Sequence, residues 1–299
     1  ALYYPSYDIN FYNIKSIDDK FASDRMQILI KQAKGDKFIT VTTIDAIKNK
    51  LTPLHKFNES FVNITSEDII DDVKLLKTLS DLNYTNTSLV ENKGEFSRRG
   101  SIIDFWPVDY EHPIRLELFD DEIDSMRLFD EINQRTIENI DKITISPLNE
   151  LIYDEKNFDQ VIYEINKDIN DLIRTKSDNN DQKLIDKYKQ ILEYITNNHY
   201  VSNWDLINPY RKSEFEVFTD YLSKDTVFIF DDISRISQLE ESIEAEFIEN
   251  ITYQRDKGEV FNSFKDLLLT NDDIYEKIES FSIVNLTSLL KRSKLYNPR

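Results

Sequence analysis

Apolar and polar positions along this chain follow two different periods, and the switches between them mark its elements. Ile114-Arg115-Leu116-Glu117-Leu118 alternates strictly, as a strand does when one face is buried. It is the middle of three short runs, residues 101–106, 114–119 and 123–129. Pro107-Val108-Asp109 and Asp120-Asp121 separate them, which is turn chemistry and predicts a small antiparallel sheet. Gly94 and Gly100 stand at its head around the basic pair Arg98-Arg99, and residues 142–146 close it before Pro147. Upstream, residues 57–64 read as a strand. Ser66 then reads as the cap of a helix with Ile69, Ile70, Val73, Leu76 and Leu79 turned inward. The stretch 57–148 is therefore predicted to be an α+β unit.

The flanking sequence has another character. Leu2-Tyr3-Tyr4 is strand-like, and a helix begins near Ser16 and Asp19 and stops at Gly35. A β-rich run follows at 37–43, then a second helix at 44–51 before Pro53. Strand and helix in alternation predict an α/β domain. Beyond Pro147 the 3.6-residue period dominates. Val161, Ile162, Ile165, Ile169 and Leu172 mark one helix. Leu184, Ile185, Tyr188, Ile191, Leu192 and Ile195 mark the next. Residues 227–230 form a buried-type strand ending in Asp231-Asp232, an acidic helix follows at 236–249, and 281–284 reads as a last strand. The predicted organisation is 1–56, 57–148 and 149–299, the middle part inserted into an α/β domain.

Composition narrows the chemistry. The 299 residues carry 56 acidic and 37 basic side chains, a formal charge of −19. That opposes broad binding to nucleic acid and suits a partner with a basic face, or simply a solvated surface. There is no cysteine, and the histidines are the scattered His55, His112 and His199, so no zinc site is expected. No apolar run approaches the roughly 18 residues of a membrane span. A phosphate-cradling loop needs two glycines five apart followed by Lys and Ser or Thr. Gly94 and Gly100 are six apart and followed by Ser101, so the chain holds no Walker A. Asp231-Asp232 then reads as a strand terminator and helix cap, and Asp120-Asp121 and Asp272-Asp273 as solvated turns. A first residue of alanine reads as a fragment excised from a longer protein.

One stretch carries a resemblance. GEFSRRGSIIDFWP at 94–107, then PIRLELFDDEI at 113–123, FD at 129–130 and Gln134 resemble the UvrB-homology module of bacterial nucleotide-excision-repair proteins. Without a Walker A or a long tyrosine-rich hairpin among Tyr3, Tyr4, Tyr7, Phe11 and Tyr12, the chain is more similar to the transcription-repair coupling factors, the Mfd family, than to UvrB. The resemblance implies a degenerate P-loop-like parallel-sheet domain with the α+β unit inserted, and a Walker B position at Asp231 and Asp232. It implies no cofactor or catalysis in this fragment. ATP and Mg, RNA polymerase and DNA would engage other parts of a cytoplasmic bacterial translocase. Its partner here would be UvrA, held by Arg99, Arg115 and Phe119 on one exposed patch that a mutation could disable without altering the melt. Ser97 stands where UvrB has arginine. Against this, Arg99 and Arg115 could instead pair with Glu95 and Glu117 across the sheet. The alternatives are a UvrB-type fragment that binds damaged DNA with ATP, and an unrelated α/β interaction domain.

Overall fold

The structure, a computed structural model, describes residues 1–6, 19–152, 155–175, 179–198, 206–210 and 215–287. The chain forms two interleaved compact units. One contains residues 22–37 and 54–152, the other residues 1–21, 38–53 and 153–299.

The first unit is built on the alternating stretch. β4 (Thr85–Asn86), β5 (Glu95–Arg99), β6 (Ile102–Phe105), β7 (Ile114–Phe119), β8 (Glu122–Phe129) and β9 (Thr136–Asn139) lie side by side in that order. β4 runs parallel to β5, and every later neighbour is antiparallel. One face is apolar: Phe96, Ile103, Phe105, Ile114, Leu116, Leu118 and Met126 are buried there with Leu75 and Leu79 of helix α3 (Asp72–Asp81). Ile64, Ile143 and Ile145 join that core from a separate antiparallel ladder of β3 (Val62–Thr65) and β10 (Lys142–Ile145). Each such buried side chain contributes about 1.5–3 kcal/mol, which fixes the register, because a one-residue slip would turn the whole set to water. β1 and β2 belong to the other unit.

Two predicted elements differ here. Residues 57–64 are not one strand: helix α2 (Leu54–Glu59) directly follows Pro53, a residue suited to helix starts, and β3 begins only at Val62. Ser66 does not cap α3 either. Asp71 does, accepting the Lys74 N–H at 3.0 Å. Ile69 and Val73 consequently point to solvent, while Leu75 and Leu79 face inward. A buried bidentate ion pair joins Arg25 of helix α1 (Asp19–Ala33) to Glu150, at 2.5 and 2.9 Å.

In the second unit, helices α4 (Glu155–Arg174), α5 (Asn179–Asn198) and α6 (Ile233–Asp256) share a core. Val161, Ile165, Leu184, Tyr188 and Ile251 meet Phe261 and Phe264 there. The predicted helix at 44–51 is a single 3-10 turn, Asp45–Lys48. Leu51 is instead extended against Glu216, the two exchanging backbone hydrogen bonds at 2.6 and 3.1 Å. Parallel pairing in this unit occurs in two separate ladders among its described residues. β1 (Leu2–Tyr4) pairs with β2 (Thr40–Thr42), and β11 (Val227–Asp231) with β12 (Ser282–Leu286). The expected helix start at Ser16, and Tyr7, Phe11 and Tyr12, lie outside the described residues. Helix α7 (Asn271–Ile278) is capped by Thr270 and Asp273, so Asp272-Asp273 opens a helix instead of forming a free turn.

Gly258 ends α6 with φ +69°, and a Cβ placed there would lie 2.4 Å from the backbone oxygen of Asn180. Backbone cannot move aside as a side-chain tip can. Gly258→Ala is therefore expected to destabilise this unit by at least about 2 kcal/mol, read as a lower urea midpoint at constant slope. An unchanged midpoint would show that the turn relaxes freely.

Candidate functional site

The second face of the β5–β8 sheet is polar. Register places Ser97, Asp104, Arg115 and Arg127 in one row across four strands, and Arg99, Ile102, Glu117 and Ser125 in the next. Asp104 is fully buried at the centre. Its Oδ1 accepts from Arg115 Nε at 2.7 Å, and its Oδ2 from Arg115 Nη2 at 2.8 Å and Arg99 Nη2 at 2.7 Å. Arg115 Nη2 also donates to Gln134 Oε1 at 2.7 Å, and its guanidinium lies 4.3 Å from the centre of the Phe129 ring. The hydrogen bond from Arg115 to Asp104 raises the arginine's already high pKa. Beside it, Arg127 grips both oxygens of Glu117, and the Ser125 hydroxyl donates to the same carboxylate. That Arg127 hydrogen bond holds the Glu117 carboxyl below its usual range.

The three candidate residues thus differ in kind. Phe119 is 72% exposed, the Arg99 side chain 44%, and the Arg115 side chain only 10%. All lie on one face of the sheet, but an exposed patch of three is not what forms. Arg115 is covered because a buried carboxylate in the adjacent strand needs its fork, and Arg99 reaches out from the same carboxylate. Nor do the arginines pair with Glu95 and Glu117. Glu95 accepts from the Glu91 and Asn92 N–H groups and so closes its own turn, while Glu117 belongs to Arg127. Ser97 is buried opposite Asp104, and its hydroxyl has no partner among the described residues.

Asp231 and Asp232 lie in the other unit. Asp231 ends β11, opposite Leu286. Asp232 adopts φ +61° and caps α6, its Oδ1 accepting the Arg235 N–H at 3.3 Å. Among the described residues no cluster of three or more His, Asp or Glu is placed to ligate a metal.

Residues 62–151, which contain the whole six-stranded sheet, match the family model of the UvrB interaction domain. That stretch is similar to the UvrB interaction domain. The chain also resembles transcription-repair coupling factors beyond that stretch. It is 28% identical over 297 residues to the Bacillus subtilis (strain 168) transcription-repair-coupling factor, covering 99% of this chain. It is 30% identical over 286 residues to that of Staphylococcus aureus (strain MRSA252), covering 94%. The chain spans 24% of the length of each of these relatives.

Within residues 62–151, the sequence reading missed Asp104, Gln134 and the Glu117–Arg127 pair as parts of the polar face. One signal was available for the first: Asp104 is a carboxylate inside the apolar run Ile102-Ile103-Asp104-Phe105, and such a residue needs a cationic partner. No local pattern reveals that Gln134 folds back onto Arg115.

Proposed function

We propose that this chain is the UvrA-recruiting part of a transcription-repair coupling factor, acting by binding and not by catalysis. The reading rests on one observation above others. In a chain of net charge −19, the polar face of a UvrB interaction domain presents an arginine anchored on a buried carboxylate, with an exposed phenylalanine nearby. A planar cationic fork and an apolar anchor have the composition of an interface hot spot. Arg99 makes the charged contact, Phe119 the apolar one, and Arg115 holds Asp104 so that Arg99 is presented in one orientation.

The remaining assignments extend this reading. The sheet unit, residues 22–37 with 54–152, corresponds to the insert expected at 57–148, and the other unit to the degenerate P-loop-like domain expected at 1–56 and 149–299. Support comes from the parallel β11–β12 ladder leading through Asp231-Asp232 into α6. Motor activity with ATP and Mg, and contacts to RNA polymerase and DNA, belong to other parts of the parent protein. No helix among the described residues is long and apolar enough to cross a membrane, in keeping with work in the bacterial cytoplasm.

The test is calorimetric titration of the chain with UvrA. Arg99→Ala and Phe119→Ala should each weaken binding at least about tenfold while shifting the thermal midpoint little, because Phe119 is largely in water and Asp104 keeps both of its hydrogen bonds from Arg115 when Arg99 is removed. Unchanged affinity in both variants would place the contact elsewhere.

A further inference from the structure

Ile69 and Phe119 flank Glu122 at one end of the six-stranded sheet. Phe119 pairs with Glu122 across the β7–β8 turn, and Glu122 forms an antiparallel bridge to Ile69 on its other side. Directly opposed residues send their side chains to the same face, so Ile69, Glu122 and Phe119 form one cross-strand row on the polar side. Ile69 is 71% exposed and Phe119 72%. The exposed isoleucine is held in place: its neighbour Ile70 is buried in the core, and the Ile70 N–H donates to Asp121 O at 2.8 Å. The same segment then crosses the end of the sheet, where Asp72 forms an ion pair with Arg98 beside Arg99. Exposed acids surround the row, namely Glu67, Asp68, Asp120 and Asp121, and Glu122 within it is exposed as well.

We infer that Ile69 is a second apolar anchor for the partner proposed above, and that the interface extends from the flat polar face over the end of the sheet. This rests on the UvrA reading. It adds that UvrA meets this edge with an apolar recess bordered by basic groups, because four exposed carboxylates rim the row and Glu122 stands within it. Two large apolar side chains held on either side of Glu122, without a cover inside their own domain, stand two strand spacings apart on one face, close enough for one partner surface to meet both. An acidic rim repels a partner edge of like charge.

The experiment titrates UvrA against three variants of the full chain. Ile69→Ser should weaken binding about tenfold with the melt unchanged. Ile132→Ser, which alters an equally exposed isoleucine beyond β8 at the opposite end of the sheet, should bind as wild type. Ile69→Ser combined with Phe119→Ala should weaken binding by less than the product of the single effects, as neighbours sharing one recess do. If Ile69→Ser binds normally while Arg99→Ala does not, the inference fails and the UvrA reading stands. If the wild-type chain fails to bind UvrA, both fail. Self-association of the wild type that Ile69→Ser abolishes would assign the row to a second copy of this chain and overturn the inference.

Discussion

Arg115→Ala should lower the melting temperature of the sheet unit by about 10–20 °C, corresponding to a loss of roughly 3 kcal/mol. Asp104 is fully buried, and Arg115 satisfies both of its oxygens. Truncating the arginine leaves Oδ1 without its donor, and Arg99 reaches only Oδ2. The carboxylate must then stay charged in a poorly solvating site or take up a proton. Loss of UvrA binding in this variant would accompany unfolding and prove nothing about contact. A double substitution, Asp104→Leu with Arg115→Met, separates the two roles. Replacing both members of a buried ion pair by apolar groups of similar size is often neutral, so stability should return. Binding should not, because Arg99 has lost the carboxylate that orients it. A thermal scan that places Arg115→Ala within 2 °C or so of wild type would refute the structural role given to the pair.

Glu150→Ala should be comparably damaging, about 3–5 kcal/mol by denaturant titration. Arg25 is completely buried, and Glu150 meets its guanidinium through two parallel contacts. The pair ties helix α1 to the chain just past β10, 125 positions further along. Glu150→Gln keeps the acceptor oxygen and loses the charge, so its loss should be smaller. Equal midpoints for Glu150→Ala and wild type would mean that Arg25 draws its stabilisation from its other neighbours.

How far the sequence reached depended on the range of the interactions involved. The strict alternation of 114–118 identified β7 and its buried face, because a two-residue period is a local property. Gly35, Gly94 and Gly100 marked turns correctly, each adopting positive φ. Ser66 misled because two caps competed. Its position offered a plausible helix start, but the Ile69 bridge to Glu122 keeps the backbone extended until Asp71. Nothing near Ile69 in sequence announces that bridge. The same holds for the site: alternation put Arg115 and Phe119 on one face, yet only the register between β6 and β7 reveals Asp104 opposite Arg115 and turns an expected surface residue into a buried one.

The interleaving of the two units has a consequence for synthesis of the chain. Residues 22–37 and 54–152 complete one unit, so it can close as soon as Glu150 has left the ribosome and found Arg25. At about 5–20 residues per second, the stretch from Arg25 to Glu150 takes on the order of ten seconds to synthesise. The other unit cannot finish then. Its strand β1 emerges first, but its ladder partner for β11, strand β12, comes only at Ser282–Leu286. Until then its apolar segments, including Phe228 and Phe230 of β11, wait without their sheet. A nascent chain stalled near residue 200 should therefore display a protease-resistant core from the sheet unit alone, with the flanking segments still open to cleavage and to chaperones.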